Sequence, residues 1–450
     1  MPPSGRRRCW SRRQGRSRGP ERLSGLRDTA RDLFAAACAA ADPAHALTSA
    51  LVASPLPRPD PGGVYRVVAV GKAAIPMAAC LLDQLDGAPA EVIVVTNYEN
   101  ARDLPGATVL ASGHPVPDEN GLAAADRVEG MLRAATPADR VIALISGGGS
   151  ALLPAPIAGL SLDEKAELNR ILLANGFEIT EINLIRQQVS RLKGGGFLRA
   201  TAAPLTAYIL SDVIGDDLRV IASGPTVAPI GTRAQARALL RSKGLWESIP
   251  SAARAILERD APSAQVPEAR NLLVGSNRKS LNAVAVAAGP EAQIVNDRLT
   301  GDVAQAAKEI VNAARNAAAD RNLCLVFGGE TTVTLRGNGV GGRNQELALR
   351  VALAMPELQR EWVFLSGGTD GRDGPTDAAG GIVDGGTIAR IRHSGGDPDA
   401  LLANNDSHAA LELSGDLLIT GATGTNVADV QLLLLRPVFR PSAKPRGDRR

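Results

Sequence analysis

Short runs rich in Val, Ile and Leu recur along the chain at 64–70 (VYRVVAV), 91–96 (EVIVVT), 141–146 (VIALIS), 206–211 (TAYILS), 322–327 (NLCLVF), 361–366 (EWVFLS) and 416–420 (DLLIT). Most are apolar at every position, the pattern of strands buried on both faces rather than half-solvated ones. Helical patterns lie between them. In the clearest, 161–175, Ser161 and Glu164 make a capping box, Leu168, Ile171 and Leu172 supply the apolar face, and Gly176 ends it. The alternation predicts an α/β fold with a mainly parallel, doubly wound sheet.

The segment 180–194 (TEINLIRQQVSRLKG) carries two stripes at helical spacing. Ile182, Ile185, Val189 and Leu192 form the apolar one; Asn183, Arg186, Ser190 and Lys193 form a polar one that is either a solvated face or part of a site. A polar, Pro-containing stretch at 259–270 is the candidate linker between a larger first domain, 25–258, and a smaller second one, 271–435. The stretch TLRGNGVGGRNQ (334–345) reads as a strand, a glycine loop and a helix, with an antiparallel edge that would make the second sheet mixed.

Charge changes this picture mainly at the ends. The formal net charge is +3, yet residues 1–23 hold eight Arg and one Glu, and residues 436–450 hold six basic residues and one acid. The body between them, with 36 basic and 45 acidic residues, is net acidic. Basic residues confined to the ends do not make a nucleic-acid surface, and 1–24 and 436–450 read as disordered tails. The four cysteines and four histidines are dispersed with no CxxC, which argues against a zinc site and for a reducing, cytoplasmic setting. No apolar stretch reaches the length of a membrane span. A homo-oligomer stays open.

In doubly wound sheets ligands bind outside the carboxyl ends of the strands. Nearly every strand here runs into a loop of Gly, Ser or Asp: Gly71–Lys72, Ser146–Gly147–Gly148–Gly149–Ser150, Asp212 with Asp216 and Asp217, Gly328–Gly329–Glu330, and Asp370 with Asp373 and Asp377. Such an edge offers backbone N–H groups to anions and carboxylates to a hard cation. Lys72, directly after a strand, reads either as a solvated loop lysine or as a cation for a transferring phosphoryl group. Arg343 directly precedes a helix read over 344–355, so its guanidinium and the helix N-terminus could share one anion. Asp212 and Asp370, immediately beyond strands, are the preferred carboxylates for Mg²⁺. There is no GxxxxGK[ST], no GxGxxG in dinucleotide context, and no GxSxG elbow.

Residues 143–156, EINLIRQQVSRLKGG, LSDVIGDDLRVIASGPTV, GGETTVTLRGNGVGGRNQE, GTDGRDGPTDAAG and NNDSH stand in an order and spacing that resembles the glycerate 2-kinases with a C-terminal MOFRL domain, whose members often carry the name hydroxypyruvate reductase. The likeness spans about 28–430. It implies two α/β domains, the first Rossmann-like without its dinucleotide fingerprint, and an active site in the cleft between them. It implies transfer of phosphate from ATP, with Mg²⁺, to the C2 hydroxyl of D-glycerate. The family's functional lysine falls on Lys72 and its functional arginine on Arg343. The expected substrate- and phosphate-binding set is Ser146, Gly147, Gly148, Gly149, Ser150, Arg186, Lys193, Glu330 and Asn344. Asp212 would hold Mg²⁺ or accept the hydroxyl proton, and Asp370 is the second metal candidate. Three positions depart from the family pattern: Gly196 replaces an Arg after KGG, with Arg199 nearby as a substitute; Ala228–Pro229 replaces Pro-Asp; and TNYEN (96–100) lacks a glycine after its tyrosine. The rival functions are an NAD(P)H-dependent hydroxypyruvate reductase and a non-catalytic sugar-acid sensor.

Overall fold

A computed structural model describes residues 19–259 and 266–438; the N-terminal basic segment before residue 19, residues 260–265 of the expected linker and the C-terminal tail from 439 lie outside them. The described chain forms two compact units, 40–276 with 424–427, and the residues up to 39 with 277–423 and those from 428 onward.

The first unit is built on β1 (Tyr65–Val70), β2 (Ala90–Asn97), β3 (Thr108–Ser112), β4 (Arg140–Ile145), β5 (Leu205–Leu210) and β6 (Arg270–Gly275). They lie in the order β3-β2-β1-β4-β5-β6 with every pair parallel. The order reverses between β1 and β4, which makes that point the topological switch of a dinucleotide-type sheet. Successive side chains alternate faces, and both faces are covered. Val68, Val70, Ile93, Val95, Val141 and Ile145 pack with Ala124, Val128 and Leu132 of the helix Glu119–Ala134. Val67, Ala69, Val92, Val94, Ile142 and Leu144 pack with Ile75, Met77 and Leu81 of the helix Ala74–Leu85. Two buried faces explain why the strands show no polar alternation. Each fully buried Val, Leu or Ile contributes about 1.5–3 kcal/mol of transfer free energy.

A helical layer around Leu168, Leu172, Ile185, Leu240 and Ile256 has its own core. Its first helix, Leu162–Ala174, starts from the Ser161–Glu164 capping box the sequence predicts. The next, Ile179–Gln188, is shorter than expected: the chain leaves the helix at Val189, and Ser190 makes a β-bridge to Pro156. The expected stripe of Asn183, Arg186, Ser190 and Lys193 is therefore not one helical face.

The second unit carries β7 (Ala292–Asp302), β8 (Leu323–Thr332), β9 (Arg360–Gly368), β10 (Gly380–Asp384), β11 (Leu417–Leu418) and β12 (Asp429–Pro437), ordered β11-β10-β9-β12-β8-β7. Only β7 and β8 pair in parallel, so the sheet is mixed. The helices Val303–Asn316 and Arg343–Ala354 cover one face. The N-terminal helix, Gly19–Ala40, covers the other through Leu26, Ala30, Phe34 and Ala37. The expected division at 259–270 thus differs from the units at three points, one of them residues 424–427, which fall in the first unit. The first helix belongs to the second unit because its apolar stripe fills that sheet's face, and β6, beyond the linker, completes the first sheet.

β12 is the central strand of the second sheet, with Leu432 and Leu434 on one face and Leu433 and Leu435 on the other, all fully buried. Leu433→Ala should lower stability by about 2–5 kcal/mol in urea unfolding, the cost of a core cavity. A cost under about 1 kcal/mol would contradict this placement.

Candidate active site

The carboxyl ends of the parallel strands of the first unit deliver Gly71 and Lys72 after β1, Gly113 and His114 after β3, Ser146 to Ser150 after β4, and Asp212 after β5. These loops approach one another so closely that glycine is required. A Cβ on Gly147 would lie 2.1 Å from Asp212 Oδ2. On Gly148, at φ +87°, it would lie 3.3 Å from His114 Nε2 and 3.4 Å from Lys72 Cγ. A Cβ on Gly71, at φ +123°, would lie 2.2 Å from Ser146 Oγ. The glycine run is thus a flat backbone surface bordered by a carboxylate, an imidazole and an amine.

That surface carries unsatisfied donors. None of the backbone N–H groups of residues 147–150 has an acceptor among the described residues. Lys72 donates its backbone N–H to Gly147 O (2.9 Å) and its carbonyl accepts from Asn100 Nδ2 (3.1 Å), so the lysine backbone is fixed on both sides. Its side chain is exposed. Burial raises the Asp212 carboxyl above its ordinary range, against its own backbone N–H and the Lys72 charge. Burial, and then the Lys72 charge, lowers the His114 imidazole, with Glu99 opposing.

Other expected contacts lie behind this surface. Ser146 is buried; its Oγ accepts from Ala73 N (3.1 Å) and donates to Val70 O (3.4 Å), locking β4 to β1. Ser150 Oγ lies 2.8 Å from Ser223 Oγ, which donates to Asn183 Oδ1 (2.8 Å). Lys193 Nζ donates to Ser150 O (2.6 Å) and more weakly to Leu153 O (3.4 Å), bracing the segment beyond the glycines from below. Arg186 Nε donates to Asn169 Oδ1 (2.5 Å). Lys193 therefore braces the segment around Ser150, whereas the hydrogen bond of Arg186 goes to the helix Leu162–Ala174. Arg199 donates to Gly194 O (2.8 Å) and Lys193 O (3.1 Å), and a Cβ on Gly196 would lie 2.3 Å from Arg191 O, so an arginine could not stand at 196 in this backbone.

In the second unit Arg343 is held by two carboxylates. Its Nε and Nη2 donate to Asp429 Oδ2 (2.6 Å) and Oδ1 (2.9 Å), and its Nη1 lies 3.2 Å from Glu330 Oε1. Asp429 is fully buried, whereas Glu330 is half-exposed. Burial opposes the Arg343 charge, but Asp429 and Glu330 hold the guanidinium above its ordinary value. The helix behind it is capped by Asp373, whose carboxylate accepts from Asn344 N (3.0 Å) and Gln345 N (2.8 Å). This corrects the expectation that Arg343 and the helix N-terminus share one anion, because a side chain of the protein already occupies those N–H groups. Burial and the Asp429 charge push the Asp373 carboxyl up to about 6. Asn344 is wholly buried and accepts from Ser366 Oγ (2.6 Å), a structural contact. The glycine loop before Arg343 is tied to the NNDSH segment: Asn405 Oδ1 accepts from Arg336 N (2.7 Å) and Gly337 N (3.1 Å), and Gly339 N donates to Asn404 O (3.0 Å).

Neither acidic set converges. Asp217 pairs with Arg219 (2.7 Å), Asp370 Oδ1 accepts from Arg372 N (3.0 Å), and Asp377 lies 3.7 Å from His408. Among the described residues no group of three or more His, Cys, Asp or Glu is placed to hold a metal. Asp212 has no side-chain partner among them, and one such carboxylate beside free N–H groups fits Mg²⁺, which takes its remaining ligands from phosphate and water. Sequence reasoning missed His114, Asp429 and the capping role of Asp373. The tripeptide GHP after β3 is the signal that could have pointed to His114.

Residues 29–258 match a family described as a domain of unknown function (DUF4147), and residues 323–429 match the MOFRL family. The chain is 41% identical over 379 residues to a D-glycerate 2-kinase of Thermotoga maritima, covering 82% of this chain and 90% of that protein. It is 39% identical to a glycerate 2-kinase of Pyrococcus horikoshii over 83% of this chain and 88% of that one. A crystal structure of the glycerate kinase of Thermotoga maritima superposes with a TM-score of 0.85 at 36% identity, covering 92% of this chain and all of that one.

The brace under the loop is testable through pH. Burial, then the Arg186 charge, pulls the Lys193 amine down to about 7. The folded protein therefore releases this proton near pH 7 while the unfolded chain keeps it, so stability from this group rises with pH above 7 and is lost as pH falls through 7. Lys193 alone should make the unfolding free energy climb between pH 7 and 9 by at most about 1.4 kcal/mol per pH unit, on top of the slope from the buried Lys165, whose amine burial also lowers. Lys193→Met should remove that contribution; an unchanged slope would contradict the placement.

Proposed function

Because the chain belongs to the glycerate kinase family, we propose that it transfers the γ-phosphoryl group of ATP to the C2 hydroxyl of D-glycerate, giving 2-phosphoglycerate and ADP. The observation that carries the reading is the glycine surface of residues 147–150, four backbone N–H groups without acceptors among the described residues, flanked by Lys72. Phosphoryl transfer asks mainly for positioning and neutralisation of charge on the equatorial oxygens. The N–H groups seat an anion, the glycerate carboxylate or a nucleotide phosphate. Lys72, with a fixed backbone and a free head, follows the charge of the transferring group.

Arg343 contributes through Nη1, the nitrogen left to the half-exposed Glu330. An anionic oxygen takes that position as Glu330 swings into solvent, while Asp429 keeps the rest of the guanidinium in place. Asp212 is the residue that would hold Mg²⁺; when bound, the ion neutralises phosphate charge and is completed by phosphate oxygens and water.

Lys72→Ala should cut kcat by about 10²- to 10⁴-fold with the fold intact, since its side chain is exposed. Arg343→Ala is a poorer probe, because it leaves Asp429 buried without a partner, so Arg343→Lys is the informative change. The assay is ADP release from D-glycerate, ATP and Mg²⁺, with the product identified by NMR, beside hydroxypyruvate and NADH as the competing pair. Near-wild-type kcat in both variants would sink these roles, and turnover only of hydroxypyruvate would sink the kinase.

A further inference from the structure

Among the described residues, His114 borders the glycine surface without a task in the kinase reading. It follows β3 directly, and its turn is fixed from both ends: the Asp118 carboxylate accepts from Gly113 N and Gly121 N and from the Tyr98 hydroxyl. The Nε2 edge of the ring faces Gly148, on the side where Lys72 passes. The side chain is half-buried and has no hydrogen-bond partner among the described residues.

We propose that His114 is a catalytic residue whose Nε2 accepts the proton of the attacking substrate hydroxyl. This rests on the kinase reading above and assigns within it the proton acceptor that Asp212 would otherwise have to be. The groups facing the ring are Lys72 and Glu99; burial and the Lys72 charge keep the imidazole neutral at pH 7, so its lone pair is available. A base that is neutral near the working pH is better matched to a hydroxyl proton than a carboxylate committed to a cation. In the step, the hydroxyl oxygen bonds to the γ-phosphorus and the bond from that phosphorus to the bridging oxygen breaks. The electron pair stays on the departing ADP oxygen, and the hydroxyl proton moves to Nε2 and then to solvent.

The test compares wild type, His114→Asn and His114→Ala with D-glycerate, ATP and Mg²⁺, following ADP and phosphoglycerate. Both variants should lose about 10²- to 10³-fold in kcat with KM values for both substrates within about threefold. Added imidazole should restore at least about tenfold of the His114→Ala rate, by refilling the space with a base. The proposal is overturned if kcat stays within about threefold of wild type, if the loss falls in KM alone, or if imidazole does nothing for a folded His114→Ala protein. Should that variant not fold, His114→Asn, nearly isosteric, decides through the division between kcat and KM. A wild-type protein that turns over no glycerate would instead overturn the kinase reading, and this inference with it.

Discussion

Two consecutive α-carbons without side chains set the spacing of the candidate site. A Cβ on Gly147 would stand 2.1 Å from Asp212 Oδ2 and displace that carboxylate, and Gly148, with His114 and Lys72 at 3.3 and 3.4 Å from its Cβ position, needs glycine for its φ of +87°. The constraint runs both ways. The backbone N–H groups can face a ligand only because nothing covers them, and the side chains can flank that ligand only because they approach the backbone itself. Ser146 Oγ, tied to Ala73 N and Val70 O, keeps the strand ends in register so that the approach is reproduced. The glycines lose more conformational entropy on folding than other residues would, a cost offset by the parallel core beneath them.

The second unit reaches a comparable result by charge pairing rather than by removing side chains. Arg343 is held in a bidentate grip by a carboxylate with no solvent access, and the loop leading to it is fastened through Asn404 and Asn405. A buried pair of this kind is weak evidence for stability, since both charges lost their hydration. It is good evidence for orientation: the guanidinium plane cannot turn while Asp429 holds two of its nitrogens.

Much of this was legible in the sequence, for reasons that differ by element. The first sheet announces itself because both its faces are buried, so β1, β2, β4 and β5 read as unbroken apolar runs. β3 escaped because it is an edge strand with its first four residues partly solvated, and β10 because it opens on two glycines. β12 holds four consecutive leucines but also Asp429, Gln431 and Arg436, and nothing directly before it resembles a helix, so the alternation that reveals the others is missing. The loop residues Lys72, Gly147 to Gly149 and Asp212 were found because they follow strands. Lys193 and Arg186 stand out by helical spacing, but the helix ends at Gln188, before Lys193, so the two do not share one helical face. Asp429 and Asp373 could not be read locally, since their partners lie 86 and about 29 residues away.

Lys72 and Arg343 are held in opposite ways, and the chemistry of each side chain explains why. A lysine amine is a compact point charge on a flexible stem, able to follow an oxygen as charge moves along the reaction coordinate. It is useful with its backbone fixed and its head free, as at Lys72. A guanidinium acts by geometry, offering donors in a plane, and its value falls if the plane wanders. It is useful when part of its fork is anchored, as Nε and Nη2 are by Asp429, and part is left to an exchangeable partner, as Nη1 is to Glu330. A lysine at 343 would therefore lose what the guanidinium supplies, since one amine cannot engage Asp429 through two nitrogens and present a third.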